Sequence, residues 1–132
     1  MTRKIIFCAL CALALLACKK NTDPGNVQLK PISITGDVIA VSSNSATLSG
    51  TTNKGAIVTY IEHGILLSTE PEPTKGNSRE QYASTDNLTF YIIFSGLTPS
   101  TTYYYRSFLY YDGLSTIHRT YGEVKSFTTP AS

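Results

Sequence analysis

The sequence predicts an all-β sandwich, and three observations support this prediction. From about residue 31 onward the chain is rich in Thr, Ser, Val, Ile and Tyr, the residue types that favour pleated strands. Turn residues recur at short intervals along the same region. No long segment repeats its apolar residues with the 3.6-residue period of an amphipathic helix. Short strands separated by turns are typical of two packed β-sheets.

We predict seven strands, a number that fits a sandwich domain of about a hundred residues. The first is interrupted at Gly36-Asp37, because these residue types favour turns, and the fourth is weak. The seven segments are residues 32–41, 46–51, 57–68, 81–84, 88–95, 103–111 and 121–128.

Alternation along two of these strands assigns their side chains to faces, because successive residues of a strand point to opposite sides. The sets expected in the core are Ala46, Leu48 and Gly50 on the second strand, and Phe90, Ile92 and Phe94 on the fifth. The sets expected to face outward are Thr47, Ser49 and Thr51, and Tyr91, Ile93 and Ser95. A shift of one residue would reverse every assignment.

The last strand does not alternate in this way. Val124 and Phe127 are three residues apart and cannot both face the core of a regular strand. We therefore expect a bulge between them, or an outward-facing Val124. The preceding segment, residues 112–119, is predicted to be a loop.

The N-terminus carries the pattern of an export signal. Arg3 and Lys4 precede an apolar run at residues 5–16, which is too short to span a bilayer. The run ends in Leu15-Leu16-Ala17-Cys18, which resembles the lipobox of bacterial lipoproteins. This resemblance implies cleavage before Cys18 and acylation of its thiol. An ordinary secretory signal whose cleavage site happens to end in cysteine is the alternative.

The chain is thus expected to have three parts: a signal peptide at residues 1–17, a lipidated Cys18 with a flexible tether at residues 18–30, and a domain at residues 31–130. The membrane is the first expected partner, through the lipid. Lys19 follows the cysteine, where the resemblance would place an aspartate for inner-membrane retention, so the outer membrane is the expected location. The leaflet stays open.

Composition excludes two classes of protein. Removing Arg3 and Lys4 lowers the basic residues from 11 to 9, against 9 acidic residues, and the charges are scattered. Nucleic acid is therefore not an expected partner, because its binding requires a concentrated basic face. Cys8 and Cys11 lie in the signal peptide and the thiol of Cys18 carries lipid, so no disulfide framework is expected.

The segment from Gly96 to Arg106 resembles the fifth-to-sixth strand region of a fibronectin type III domain. The matching residues, at alternate positions, are Leu97, Pro99, Thr101 and Tyr103. The resemblance implies that Tyr103 forms a structural tyrosine corner, with its hydroxyl bonded to the backbone a few residues upstream. Residues 46–50 and 121–129 are also similar to this family, and the resemblance covers residues 31–130. The chain has no tryptophan, so Leu48 or its neighbours must fill the space of the tryptophan that many members bury.

The sequence contains few residues that could act together in catalysis. Glu62 and His63 are adjacent on a predicted strand, so their side chains project to opposite faces and cannot act together on one substrate. His118 lies in a predicted loop near Asp112, and a metal site there would need a third ligand from elsewhere. We therefore predict no enzyme activity, no metal and no cofactor.

A row of side chains on the sixth strand is the candidate binding site. If Tyr103 points inward, then Tyr105, Ser107 and Leu109 follow it, and an outer row remains. We name as candidate ligand-binding residues Tyr104, Arg106, Phe108 and Tyr110. Such a row suits a protein partner or a sugar ring. The alternative, which we favour, is cross-strand packing in which Arg106 lies over a tyrosine ring.

These observations predict a non-catalytic envelope lipoprotein that acts as a binding or adhesion module for a protein or carbohydrate ligand. The alternative function is a structural accessory or spacer subunit of a larger envelope complex.

Overall fold

A computed structural model describes residues 30–55, 59–84, 88–113 and 115–132. The predicted signal peptide, Cys18 and nearly all of the tether lie outside the described residues. No helix within the described part is long and apolar enough to cross a membrane. The described chain forms eight strands: β1 (Ile32–Val41), β2 (Ser45–Asn53), β3 (Thr59–Ser68), β4 (Arg79–Tyr82), β5 (Thr89–Ser95), β6 (Thr102–Gly113), β7 (Thr116–Tyr121) and β8 (Lys125–Thr128).

The strands form two antiparallel sheets packed as a sandwich. One sheet has the order β1-β2-β5. The other has the order β4-β3-β6-β7, and β8 also pairs with β6. β3 pairs with β6 from Ser68, opposite Tyr104, to Thr59, opposite Asp112, and so occupies one edge of β6. β7 and β8 therefore share the other edge.

The core lies between the sheets and follows the predicted alternation. Leu48 and Phe94 are fully buried in the first sheet, as are Ile65 and Leu67 in the second. The inward sets on β2 and β5 are confirmed, and Leu48 is in the core as the missing tryptophan requires. Ser49 is an exception, because this predicted outward residue is only 8% exposed and its hydroxyl donates to the Asp37 carbonyl at 2.8 Å.

The structure corrects two predicted boundaries. β1 is continuous through Gly36-Asp37, and it accommodates them with register shifts between Thr35 and Val38 and between Val38 and Ala40. Within residues 112–119, predicted to be a loop, residues 112–113 instead belong to β6 and residues 116–119 to β7, and Asp112 pairs with Ile117. Sheet pairing with β6 therefore overrides the turn-forming composition of this segment.

The predicted last strand is interrupted, and its irregularity comes earlier than expected. Tyr105 pairs with Lys125 and Phe108 pairs with Tyr121, so residues 122–124 lie opposite only residues 106–107. One extra residue against the partner strand is a β-bulge. Residues 125–128 pair regularly beyond it, and Phe127 packs against the core.

A side chain from the other sheet fills the gap at this bulge. The Thr35 hydroxyl accepts a hydrogen bond from Ser107 N–H at 3.1 Å and donates one to the Glu123 carbonyl at 2.5 Å. Thr35 is 2% exposed and Ser107 is fully buried. Because buried backbone groups must be paired, this hydroxyl replaces the ladder bonds that the bulge removes. Gly122 permits the approach, since a Cβ there would lie 2.5 Å from Thr35 N.

Candidate functional site

The outer row predicted on β6 is packed rather than exposed. Phe108 is fully buried and Tyr110 is 2% exposed, so the expectation that these two residues present an open face is wrong. Tyr104 and Arg106 are half-buried. Phe108 and Tyr110 form a second apolar cluster with Leu66, against which Tyr121 packs. Ligand binding by the row stays a prediction, but a large ligand could reach only part of it.

The connection between β3 and β4 covers this cluster. Glu72 forms an ion pair with Arg106 at 3.9 Å, and Lys75 Nζ lies 5.0 Å from the Tyr110 ring centroid. Pro73, between them, is fully buried. The connection therefore folds back over the outer face of the sheet. From the β4 side, the Tyr82 ring meets Phe108 edge-on at 5.8 Å.

Cations stack on the aromatic rings of this face. The Arg106 guanidinium lies 4.1 Å from the Tyr121 ring centroid, which is the cross-strand packing on a tyrosine that we favoured. Arg119 lies 5.6 Å from the Tyr110 ring. Burial raises the pKa of the Tyr110 hydroxyl, and the nearby Tyr121 hydroxyl raises it further. The two hydroxyls do not meet the geometry of a hydrogen bond. These contacts make the face a packed structural layer.

Tyr103 makes the backbone contact that the tyrosine-corner motif requires. Its hydroxyl accepts a hydrogen bond from Thr98 N–H, five residues upstream, at 3.0 Å. Leu97 is buried, and the Thr101 hydroxyl donates to the Pro99 carbonyl at 2.9 Å. The Tyr103 ring stacks on Phe127 with centroids 5.7 Å apart. The motif thus joins the β5–β6 crossover to the core.

His63 is a core residue. It is 1% exposed, and its ring meets Phe90 edge-on at 4.8 Å. Its Nε2 lies 2.8 Å from the Ser84 carbonyl, which can only accept, so Nε2 carries the proton. Nδ1 then accepts from the Thr52 hydroxyl at 2.6 Å. Desolvation lowers the pKa of His63 and favours this neutral form.

The other chemical candidates are dispersed. The exposed His118 ring stacks on Tyr111 with centroids 5.2 Å apart. Among the described residues, no group of three His, Cys, Asp or Glu side chains could hold a metal ion. A shallow groove of about 380 Å³ at the end of β3 is lined by Ser68, Asn77 and Arg79, among others, and contains no carboxylate or histidine.

The β1-β2-β5 sheet carries a group of exposed large apolar side chains. Tyr91 and Ile93 are each 64% exposed, while Ile34 and Ile39 on β1 are 51% and 56% exposed. The alternation along β5 predicted that Tyr91 and Ile93 face outward, but it predicted no function for them. The sequence does contain a pattern that indicates this surface. Residues 90–94 are all apolar, whereas apolar and polar residues should alternate along a strand with one solvated face.

β5 also presents a free edge, since it pairs only with β2 among the described strands. The hydrogen bond from Thr52 N–H to the Leu88 carbonyl makes these two residues a hydrogen-bonded pair. Such pairs alternate along an antiparallel ladder, and the register of β5 with β2 is unbroken. Tyr91 and Ile93 therefore direct their backbone N–H and C=O groups away from β2, to the free edge, while their exposed side chains point to the outward face of the sheet.

No protein-family model matches the chain, and no curated protein matches it. Solved structures do. The sensor domain of the anti-sigma factor RsgI4 from Pseudobacteroides cellulosolvens is similar in two structures. The first has a TM-score of 0.56 and 16% sequence identity, and the match covers 77% of this chain and 96% of the sensor-domain chain. The second has a TM-score of 0.54 and 14% sequence identity, and the match covers 77% of this chain and 76% of the sensor-domain chain.

The sixth fibronectin type III domain of human fibronectin type III domain containing protein 3 is also similar, with a TM-score of 0.54 and 21% identity over 79% of this chain and 90% of that chain. At these identities the likenesses establish the fold alone. Together with the two antiparallel sheets, they show that the chain has a fibronectin type III-like β-sandwich fold.

Proposed function

We propose that the chain is a non-catalytic binding module of the cell envelope, held at the outer membrane by lipid on Cys18, with a protein partner on the outward face of the β1-β2-β5 sheet. One observation carries the proposal: Tyr91 and Ile93 are 64% exposed on a strand that is apolar on both faces. The sensor domain and the fibronectin type III domain among the similar structures are compatible with a binding role.

The exposed face is costly unless something covers it. Single exposed apolar residues are ordinary, but here five large ones belong to one sheet. Covering apolar surface stabilises a complex by roughly 25 cal/mol per Å². Thr47 and Thr51 lie between the two apolar edge strands and are only partly buried, so their hydroxyls can bond a polypeptide. A protein partner matches this uncharged surface better than a polyanion does.

The lipid anchor is supported by Arg3 and Lys4, the short apolar run and the Leu-Leu-Ala-Cys ending. We expect Cys18→Ser to move the protein from the membrane fraction to the soluble fraction after cell breakage. Retention of the variant in membranes would contradict the anchor. Protease digestion of intact cells, with a periplasmic protein as the leakage control, then distinguishes the two faces of the outer membrane.

The binding surface is tested by photo-crosslinking in living cells. A photoreactive residue at position 91 should give a discrete covalent adduct, identified by mass spectrometry. The same residue at position 126, an exposed serine of the other sheet, should give none. Equal labelling from both positions, or none from position 91, would argue against a partner on this face.

A spacer role is the second candidate, and the packed outer layer on β6 favours it. Phe108 and Tyr110 are buried beneath the chain's own loop, so that face needs no ligand to be stable. If the chain is a spacer, the double substitution Tyr91→Ser and Ile93→Ser should leave its crosslinked adducts with other envelope proteins unchanged.

A further inference from the structure

We infer that the partner on β5 is the β5 strand of a second copy of this chain, paired antiparallel about a two-fold axis at Ile92. The inference deepens the proposed binding function and rests on it, because it names the occupant of the same surface. It is carried by the free edge of β5, by the exposure of Tyr91 and Ile93 and by the absence of charge along Thr89–Ser95.

β5 is the one described edge strand without protection against pairing. Natural edges are protected by charges, bulges, prolines or short length. β1 has two register shifts and carries Asp37, which pairs with Lys125 at 2.9 Å. β4 has four residues, two of them charged, and the β7–β8 edge is bulged and carries Arg119.

β5 has none of these features. Its seven residues contain no charge and no proline, and they pair with β2 in unbroken register. Arg79 reaches only the end of the strand, where its guanidinium donates to the Ser95 carbonyl at 2.9 Å. The edge from Thr89 to Ile93 is left open.

The strand is complementary to itself. Pairing about Ile92 places Tyr91 opposite Ile93 of the second copy, and Ile93 opposite its Tyr91. Both residues direct backbone groups to the free edge, so each of these opposed pairs can exchange two N–H···O=C bonds. Aromatic and β-branched side chains opposite each other are a favourable cross-strand pair. With no charged residue on the strand, two copies approach without repulsion.

The arrangement closes on itself and suits a membrane-anchored protein. In a two-fold arrangement the free β5 edge of each copy pairs with that of the other, so no β5 edge remains for a third copy. The arrangement therefore gives a dimer rather than a filament. The strip buried by two strands is smaller than the roughly 800 Å² per partner of a standard stable interface, so pairing in dilute solution is weak. Anchoring both copies in one membrane raises their effective concentration toward about the mM range, which favours the dimer.

The experiment uses the full chain in its own membrane, with Tyr91→Cys as a handle for a short bis-maleimide. We expect a crosslinked dimer of two copies. Adding Ile93→Lys should reduce its yield by at least about tenfold, because it removes the β-branched member of each opposed pair and brings two like charges together across the two-fold axis. Ile34→Lys is the matched control. Ile34 is also an exposed isoleucine on the outward face of this sheet, but it lies on β1, the edge strand on the opposite side from β5. Its yield should not change.

Four outcomes of this experiment would overturn the inference. A Tyr91→Cys chain that gives no dimer, or a dimer that survives Ile93→Lys, excludes pairing through β5. Loss of the dimer with Ile34→Lys shows that the sheets pack face to face instead. A crosslink to a different protein overturns the self-pairing but leaves the proposed binding function standing, whereas no adduct of any kind removes both.

Hydrogen exchange on the purified full chain in detergent gives a second test. The Tyr91 and Ile93 amides should exchange more slowly as protein concentration rises. The Phe90 and Ile92 amides, which face β2, should be slow throughout. If the Tyr91 and Ile93 amides are slow at every concentration, another part of the same chain covers the edge and the inference fails.

Discussion

Replacing Thr35 with valine tests whether one hydroxyl holds the two sheets together at the β7–β8 bulge. The substitution keeps the shape of the side chain and removes the oxygen that contacts Ser107 N–H and the Glu123 carbonyl. Ser107 N–H is then left without a partner inside the protein, which costs about 1–3 kcal/mol. Glu123 is exposed, so its carbonyl can bond water and adds about 1 kcal/mol at most. We expect the free energy of unfolding to fall by about 1–4 kcal/mol.

Urea unfolding of purified protein, followed by circular dichroism, measures this loss as a lower midpoint at unchanged slope. Thr51→Val is the matched control, because its hydroxyl makes one exposed bond of 3.3 Å to Thr89. Its expected effect is below about 0.5 kcal/mol. Thr35→Ser keeps the oxygen and should lose about 1 kcal/mol, for the missing methyl group alone. A Thr35→Val variant within about 0.5 kcal/mol of the parent would refute the bridging role.

Three further predictions follow from the same contacts. Gly122→Ala places a Cβ 2.5 Å from Thr35 N, so the strands must separate, and urea unfolding should show a loss of about 1–3 kcal/mol; an unchanged midpoint would contradict the close approach. Tyr103→Phe leaves Thr98 N–H without its acceptor and should lose about 1–1.5 kcal/mol, whereas Tyr104→Phe should lose less. The pKa of His63 lies below 6.5 in the folded protein, so stability is retained above pH 6.5 and falls as the pH drops, by at most about 1.4 kcal/mol per pH unit. His63→Gln should flatten this dependence between pH 6.5 and 5, and an identical slope would exclude His63 as its source.

The two faces of β6 show where alternation suffices and where it does not. Tyr103, Tyr105 and Leu109 point inward as the period of two predicts, and all are buried. The same period places Phe108 and Tyr110 outside, and they do lie on the outer side of the sheet. They are buried nonetheless, because residues 69–78 fold back over them. Alternation assigns a residue to a side of the sheet, whereas burial depends on what else covers that side.

The exposed face of the β1-β2-β5 sheet could be predicted from the sequence only in part. The unbroken apolar run at residues 90–94 could have indicated a covered outer face, because a solvated one should alternate. That β5 lies at the edge of its sheet, with no strand of the described chain beyond it, could not be predicted from the run itself. Strand order depends on contacts between residues far apart in sequence, such as Phe90 with Gly50.

The sequence by itself determined the fold class, seven of the eight described strands in outline, the inward sets on β2 and β5, and the position of the tyrosine corner at Tyr103. Each follows from local chemistry: β-propensity, a period of two, and a short motif within one crossover. Only the tertiary structure decided the bulge at residues 122–124 with Thr35 inserted into it, the loop over Tyr110 and the exposed edge of β5. These features join segments tens of residues apart, and their energies come from long-range contacts and from the covering of surfaces, which no local pattern records.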